Sequence, residues 1–487
     1  MSSSHPTPAP PPLTPHERSK ILWVLLVPLF MALVSVSIVN VALPAIQADL
    51  HASSSALQWV LTGFALAFGV LLVASGRAGD IFGRRKLFMA GIVVFALASL
   101  VCGLAPNTTV LNIGRVAQGL GSGLINPQSV GMIQQYFRGP ARAKAFGMLG
   151  AVVGVAVAIG PAFGGFLIGA LGDGPGWRAT FLINVPTAAV ALVLAALWLP
   201  RQNRKPGRVD MDPVGVVLFG LGILALLFPF VESRLGPLVW LSLLLGALLL
   251  FLWTRWEARY KTRGREPMVD MDLFRIASFS YGTALITVYF LGMTSVWVVL
   301  AMYVQQGLGR TAFEAGMLSL PAALMSAVVA PLAGRGVLRY GRRVILAGIA
   351  CAVTGLLTTI GVLYGVVHFD WNIAWLYLTL VLVGVGQGSV MPPNQTLSFS
   401  EVPLRFAGAA GGVMQTGQRV GTAVGTAVIT AVAFGVLARS DWDTAFTTSF
   451  LAIVGVLVVA FVIALVDHKR PKPPGTTTDP VQQIPTE

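Results

Sequence analysis

The sequence predicts an all-α integral membrane protein with fourteen transmembrane helices, and three features of the chain support this fold class. First, 55% of the 487 residues are hydrophobic and 11% are charged, with a mean hydropathy of +0.78. A soluble domain carries about 25% charged residues, so this composition excludes a soluble enzyme. Second, fourteen apolar runs are long enough to cross a bilayer core about 30 Å thick as helices. Third, clusters of basic residues alternate with these runs.

The fourteen predicted spans fall into three groups. Six lie at about 21–43, 57–76, 87–105, 109–134, 143–170 and 178–199. Two follow at about 213–231 and 236–256. The last six lie at about 279–304, 313–334, 343–367, 373–395, 407–438 and 443–466.

These groups divide the chain into domains. Residues 1–20 and 467–487 are rich in Pro with Ser or Thr and are expected to form disordered cytoplasmic tails. A 23-residue apolar run after the first tail is too long for the apolar region of a cleaved signal peptide. Between the tails we predict a first six-helix bundle (21–199), a cytoplasmic linker with two extra helices (200–257), a cytoplasmic loop (258–278) and a second six-helix bundle (279–466).

The basic residues predict the orientation of the chain. The net charge is +14, which in a soluble protein would suggest nucleic acid as a partner. Here 27 of the 33 Lys and Arg residues fall on the side of the N-terminus. Four fall on the opposite side and two within helices: Arg178, Arg234, Arg310, Arg439, and Arg115 and Arg419. Cytoplasmic basic loops are the rule for membrane proteins, so we expect both termini in the cytoplasm of a plasma-membrane protein that binds no nucleic acid.

The two halves of the chain carry an internal repeat. The segment Gly76–Arg85 and the segment Gly334–Arg343 share their Gly-Arg and Gly-Arg-Arg elements at the same spacing. The pattern GxGxGxxxP of span 4, beginning at Gly119, recurs in span 12. Pro-x-Arg precedes both span 5 and span 13. Two related bundles around a central cavity are typical of transporters that rock between two states.

The energy source is predicted from the absence of a nucleotide motif. No GxxxxGK[ST] loop occurs in the sequence, and the Gly-rich stretches lie within spans rather than after strands. We therefore expect no ATP and no cofactor, with an ion gradient driving any coupled transport. A membrane-embedded enzyme would need clustered acids or histidines, and the sequence offers no such cluster or metal site.

Four motifs resemble the major facilitator superfamily, in particular its fourteen-helix branch of drug–proton antiporters (the DHA2 type). They are the loop at 76–86, RVAQG at 115–119, the glycine pattern of span 5 ending in GPxxGG at 160–165, and WRATFLINVP at 177–186. The resemblance covers the chain between its tails. It implies secondary export of amphipathic small molecules, multidrug or antibiotic efflux, by a monomer that works through alternating access.

The first motif is expected to form a gate at the cytoplasmic face. Asp80 is the single acid among cations, so it can pair with them and bind a helix N-terminus of the other bundle. A plain basic loop is the alternative. The predicted gate residues are Gly76, Asp80, Gly83, Arg84, Arg85 and Arg142.

The second motif places Arg115 within the membrane, beside Gln118. A charge there is costly, so it needs a partner or a wet cavity. The resemblance implies a role in proton transfer or in bundle register, and bonding to backbone carbonyls is the alternative.

The third motif favours export over uptake. Small residues at every fourth position permit close helix packing, and Pro161 permits bending. Its residues are Gly150, Gly154, Gly160, Pro161, Gly164 and Gly165. In the fourth motif we expect Trp177 to anchor at the membrane interface and Pro186 to lie in a first helical turn or kink.

The sequence departs from the family at the acid that is often tied to proton coupling. Ser35 occupies that position before the intact Ile38–Pro44 run. No acid lies in the middle of a predicted span, and Glu232 and Glu314, at span ends, are the acidic coupling candidates. Glu314 follows Thr311 by three residues, the spacing of a capping box, and we favour capping over coupling. The expected partners of the chain are the lipid bilayer and the transported small molecule, with coupled protons as a candidate.

The predicted cavity contains polar and aromatic residues of the central spans, because buried polar groups avoid lipid. They are Ser35, Asn40, Asn126, Gln128, Tyr289, Trp297, Asn394, Gln415, Gln418 and Arg419. Bonding across packed helices is the alternative for Asn40 and Asn126, as is interior packing for Tyr289 and Trp297. With cations but no fixed anion, the cavity favours a neutral or anionic amphiphile. A lipid or lipid-like metabolite, moved without protons, is the alternative substrate.

Overall fold

The computed structural model describes residues 14–200, 210–231 and 236–470, which form fifteen α-helices. The helices of the first half are α1 Pro15–Leu50, α2 Ser54–Phe82, α3 Arg84–Gly103, α4 Thr108–Tyr136, α5 Gly139–Leu171, α6 Asp173–Leu182 and α7 Asn184–Trp198. Then follow α8 Pro213–Val231, α9 Leu241–Thr262, α10 Ala277–Met302, α11 Ala312–Tyr340, α12 Arg343–His368, α13 Trp375–Ser398, α14 Ala407–Leu437 and α15 Trp442–His468.

The predicted count of fourteen spans is confirmed. Thirteen segments are long and apolar enough to cross a membrane, and α6 with α7 makes one of them. The fourteenth is α4, whose 29 residues reach about 43 Å. It is less apolar than the others because its sequence includes Arg115 and several Gln and Asn residues, which are buried or half-buried against its neighbours.

The internal repeat is visible in the helix packing. In the first bundle α1 packs on α5, while α2 and α3 pack on α4. In the second bundle α10 packs on α14, while α11 and α12 pack on α13. The extra helices α8 and α9 pack on each other, and α8 also contacts α2 and α14. The additional pair therefore lies where the two bundles meet.

Several predicted boundaries are wrong by a few residues because helices extend past their apolar stretch. α1 begins at Pro15, where Thr14 and Glu17 form a capping box, so residues 15–20 are helical rather than part of a disordered tail. α9 continues to Thr262, beyond the predicted linker boundary at 257. Residues 1–13, most of the second tail and the loop at 201–208 lie outside the described residues.

The two bundles touch near one end of the molecule, which we call the basic end: the end with the α2–α3 connection at Gly83 and the α11–α12 connection at 341–342. The inter-bundle pairs are α2 with α14, α4 with α14, and α5 with α11 and α13. Their closest backbone approaches lie between this end and the middle of the helices. At Gly154, for example, an added Cβ would lie 3.0 Å from the carbonyl oxygen of Ala323.

Candidate functional site: the basic-end contact and the arginines between the bundles

Asp80 binds the N-terminus of a helix in the opposite bundle. Its Oδ1 accepts the backbone N–H of Gly408 at 3.1 Å, and its Oδ2 accepts that of Ala409 at 3.1 Å. These N–H groups lie in the first turn of α14, where a helix leaves donors without internal partners and carries a partial positive charge. The carboxylate of α2 therefore caps α14 across the bundle interface.

Arg84 completes this contact with a planar fork of hydrogen bonds. Its Nη2 donates to Oδ1 of Asp80 at 2.7 Å and to the carbonyl of Leu404 at 2.7 Å. Its Nη1 donates to Gln135 and to the carbonyl of Gly131 on α4. Both side chains of the ion pair are at most 3% exposed. A buried pair this well bonded ties α2, α3, α4 and the segment before α14 together.

Glycine lets the backbones approach at the same place. A Cβ on Gly76 would lie 2.3 Å from the carbonyl oxygen of Gly408, and a Cβ on Gly412 would lie 2.5 Å from that of Leu72. Gly83 ends α2 with a φ of 100°, a backbone conformation that favours glycine. Of the predicted gate glycines, Gly76 thus lets the bundles approach, whereas Gly83 serves the end of α2.

The other two predicted gate residues do not bridge the bundles by a hydrogen bond. Arg85 donates to the carbonyl of Ala196 at 2.7 Å, within the first bundle. Arg142 lies in the first turns of α5, and its buried Nε has no hydrogen-bond partner. Arg77, which sequence reasoning did not single out, pairs with Glu266 at 2.8 Å and donates to the carbonyl of Asp210.

Arg115 forms its hydrogen bonds inside the first bundle. Its Nε donates to the carbonyl of Val60 at 2.7 Å and its Nη1 to Gln118 at 2.7 Å, while Gln118 donates to Ser99. The guanidinium also stacks on Phe64 at 4.4 Å. The bond to the carbonyl of Val60 is the kind that the structural alternative predicts, and the contacts through Gln118 and Ser99 also join α2, α3 and α4, as a role in bundle register requires.

Arg419 has a different environment. Its guanidinium lies 4.5 Å from the ring centre of Phe68, on α2 of the other bundle, and it has no carboxylate partner within the described residues. Phe68 stacks on Phe64 at 6.1 Å, so two phenyl rings separate the guanidinium groups of Arg419 and Arg115. Sequence reasoning missed both rings, although their spacing of four residues places them on one face of α2.

Three of the predicted cavity amides bond to nearby backbone. Gln128 donates to the carbonyl of Ser75 and Asn394 to that of Gly282, each across packed helices. Asn126 reaches the carbonyl of Ser122 in its own helix. Gln128 and Asn394 thus join helices, whereas Asn126, like Asn40, forms no hydrogen bond across packed helices among the described residues. Asn40 is exposed and donates to Val36 of its own helix, so bonding across helices is wrong for it.

The remaining cavity candidates include polar atoms without partners. Ser35 Oγ, Tyr289 Oη and Gln418 Nε2 are buried and have no hydrogen-bond partner. Gln415 is buried on α14 and Trp297 is half-buried on α10. The glutamines adjoin Arg419 on α14, so this helix brings three polar side chains to the middle of the bundle interface.

The glycines of α5 face two neighbours in turn. Gly150 packs against Pro392, and Gly154 against α11, both in the second bundle. Gly160 and Gly164 instead pack against Ser37 and Ile38 of α1, in the first bundle. A Cβ on Gly165 would meet nothing within 4 Å, so this member of the motif has no packing role. Pro161 lies inside α5, just where its contacts change from one bundle to the other.

Two predictions at the opposite end have clear outcomes. Glu314 forms the capping box with Thr311, as expected. The prediction that Trp177 anchors at the membrane interface is wrong: it is 0% exposed, and its Nε1 donates to Asp49 at 3.0 Å. Arg178 binds the same carboxylate, so the motif joins α6 to α1. Glu232 lies outside the described residues.

Pro186 lies in the first turn of α7, just after Ile183, where the helix is interrupted between α6 and α7. This position agrees with the expected first-turn role. Within the described residues, no group of three or more His, Cys, Asp or Glu side chains could hold a metal ion.

Comparisons with known proteins identify the family. A model of the Major Facilitator Superfamily matches residues 25–426 and 282–486. The "Probable actinorhodin transporter" of Streptomyces coelicolor is 35% identical over 436 residues, which cover 88% of this chain and 74% of that protein. The "Multidrug resistance protein Stp" of Mycobacterium tuberculosis is 32% identical, covering 81% of this chain and 72% of that protein. The "Tetracenomycin C resistance and export protein" of Streptomyces glaucescens is 33% identical, covering 79% and 70%.

Solved structures show the same fold. The human organic anion transporter MFSD10 superposes with a TM-score of 0.66 at 14% identity, covering 93% of this chain and 100% of that chain. The proton:xylose symporter XylE gives a TM-score of 0.64 at 14% identity, covering 93% and 96%. With its fourteen spans, its repeated bundles and these relatives, the chain belongs to the Major Facilitator Superfamily.

Proposed function

We propose that the chain exports neutral or anionic amphipathic small molecules across the plasma membrane by alternating access. Relatives more than 30% identical over most of the chain are named as a probable transporter, a multidrug resistance protein and a resistance and export protein, which supports export. Both termini would lie in the cytoplasm, which would place the basic end there. In that orientation, Asp80 and Arg84 hold the cytoplasmic side closed.

The environment of Arg419 carries the proposal for the substrate. A guanidinium between the bundles that rests on an aromatic ring keeps its charge without a carboxylate to neutralise it. An anionic or strongly polarised group on a substrate would supply that partner, and apolar rings of the substrate would contact Phe68 and its neighbours. A quaternary cation would be repelled by the same group.

Transport into everted membrane vesicles tests the proposal. The vesicles are energised, ΔpH and Δψ are dissipated separately with ionophores, and uptake of cationic, neutral and anionic aromatic amphiphiles is followed. We expect uptake of an anionic aromatic compound that collapses with the gradient and falls at least tenfold in Arg419→Gln. Arg310→Gln, at an exposed arginine in the connection before α11, is the matched control.

Two results would overturn the proposal. Saturable export of a dication with no dependence on Arg419 would contradict the substrate class. Transport of labelled phospholipid that survives loss of both gradients would instead support the lipid facilitator.

A further inference from the structure

Two carboxyl groups meet in a buried position away from the bundle interface, where α8 begins and α9 approaches its end. Asp212 precedes α8 and is 0% exposed, and Glu257 lies on α9 and is 1% exposed. Gly215 provides the space between them. A Cβ at Gly215 would lie 2.2 Å from Oδ2 of Asp212 and 2.9 Å from Oε1 of Glu257. Both carboxyl groups therefore flank the same point, side by side.

Each carboxyl group uses one oxygen to accept an indole N–H. Trp256 donates to Oδ1 of Asp212 at 2.7 Å, and Trp253 donates to Oε1 of Glu257 at 2.7 Å. The backbone N–H of Gly215 also donates to Oδ1 of Asp212. The other two oxygens, Oδ2 of Asp212 and Oε2 of Glu257, are buried and have no hydrogen-bond partner in the described part of the chain.

The charged groups around the pair are bonded elsewhere. From α2, Arg77 binds Glu266; from α9, Lys261 binds Asp270 and Asp272, and Tyr260 donates to Asp210. Arg265 stacks on the ring of Tyr260. Within the described ranges, neither Asp212 nor Glu257 forms an ion pair. Two ionised carboxylates in contact, both out of water and without a cation, would repel each other strongly.

We propose that Asp212 and Glu257 form a proton-binding site that holds one proton between the two carboxyl groups. A hydrogen bond between two carboxyl groups requires a proton on one of them, because an ionised carboxylate only accepts. The shared proton places one negative charge, not two, among the two indole donors. Release to water at the basic end leaves two facing anions, which drives the start of α8 away from α9.

The site is connected to the contact between the bundles. Asp210 lies two residues before Asp212, and its carbonyl accepts from Arg77 at 3.3 Å. Arg77 follows Gly76, whose missing side chain admits the backbone of Gly408. Movement at the start of α8 therefore acts on the end of α2 that carries Asp80. Proton activity at the basic end would thus bias the closure of this end.

Proton binding is tested without transport, on the full chain in lipid nanodiscs. Infrared difference spectroscopy between pH values detects the C=O band of a protonated carboxyl group, and indole emission reports the two neighbouring tryptophans. We expect one protonated carboxyl group, whose proton is released in a single step as the pH is raised. The step should be absent from Asp212→Asn and from Glu257→Gln. It should persist in Asp272→Asn, which changes an exposed acid in the connection between α9 and α10.

Trp256→Phe provides a variant that keeps both carboxyl groups. It removes a donor that favours the ionised form, so the step should move to higher pH. Retention of the wild-type step in both Asp212→Asn and Glu257→Gln would overturn the proposal. So would a step that shifts with millimolar Ca²⁺ or Mg²⁺ at constant pH, since the site would then bind a metal cation.

The consequence for transport rests on the proposed function and has its own readout. In everted vesicles, the export rate of the wild type should depend on external pH across the pH range of the spectroscopic step, and that dependence should be lost in Glu257→Gln. If the spectroscopic step is present but no amphiphile is exported, the proton site stands and the proposed function fails.

Discussion

At the basic end, α2 meets α14 and α11 meets α5 through segments that the internal repeat relates, Gly76–Arg85 and Gly334–Arg343. Both contacts are close because of glycine: a Cβ on Gly334 would lie 2.7 Å from the carbonyl of Ala143. The charges differ. Leu338 takes the position of Asp80, and the first turn of α5 carries no acid.

The two related arginines also have different partners. Arg84 bonds to Asp80 and reaches Leu404 before α14, so it spans both bundles. Arg342 pairs with Asp467 of α15, within the second bundle. Of the two repeated segments, one thus provides a charged contact between the bundles and the other a steric contact. Removing charge should therefore affect the first contact and spare the second.

The largest expected effect is that of Asp80→Asn. The change leaves Arg84 buried without its anion, a loss that typically costs about 3–5 kcal/mol. We expect the export rate in everted vesicles to fall more than tenfold at equal protein content. Leu338→Asn, at the related position, should change export less than twofold. Equal losses in the two variants would show that the charge has no special role.

A second effect separates the two glycine contacts. In Gly408→Ala the added Cβ would lie 2.4 Å from the carbonyl of Gly76 and 2.7 Å from Asp80, so the backbones must separate. Spin labels attached at the exposed positions of Arg138 and Arg405 should then lie farther apart, which double electron–electron resonance measures. Gly334→Ala should have a smaller effect. Gly435→Ala, where the Cβ meets nothing within 4 Å, is the control, and an equal widening there would contradict the steric account.

An intermediate effect is expected for Arg84→Lys. Lysine keeps the charge but loses the planar fork that serves Asp80, Gln135 and two carbonyls. Export should fall several-fold. Arg342→Lys has a single carboxylate to satisfy and should leave export near the wild-type rate. If Arg342→Lys lost more export activity than Arg84→Lys, the segment Gly334–Arg343, and not Gly76–Arg85, would provide the charge-dependent contact.

The smallest effect should come from Asp441, far from both contacts. The backbone N–H of Thr444 donates to this carboxylate at the start of α15, which lowers the pKa of Asp441. The stabilisation is present above the ordinary pKa of Asp and is lost as pH falls through the lowered value. Asp441→Ala should reduce the thermal unfolding temperature slightly at pH 7 and not at acid pH, with export unchanged. An altered export rate would show that this end also limits transport.

The order and number of the helices were predictable because apolar length and basic flanks are local properties. α4 was found from its sequence although it is the least apolar span. Helix ends were less predictable: the capping box at Thr14 starts α1 six residues before the apolar stretch. The role of Glu314 was correct because a capping box requires only its own four residues.

Contacts between segments that are distant in the sequence could not be predicted from it. Tryptophan is typical of anchors at the membrane interface, yet Trp177 lies in the interior, where Asp49 accepts its indole N–H. Asp212 and Glu257 are 45 residues apart and each looks like an ordinary acid near a span end. Their pairing depends on the antiparallel packing of α8 and α9, which brings the two side chains to the same height.

By itself the sequence determined that the chain spans a membrane fourteen times, as two related bundles with two helices between them. Hydropathy, the alternation of basic clusters and the repeated motifs are properties of individual segments. Each can therefore be read from the sequence without knowing which segments pack together. Only the tertiary structure decided which charges are satisfied. Arg115 and Arg419 are both arginines within helices, but the first is bonded to a carbonyl and a glutamine while the second rests on a ring of the opposite bundle. The free energy of a buried charge is set by the atoms within a few ångströms of it, and here the fold brings those atoms from other helices.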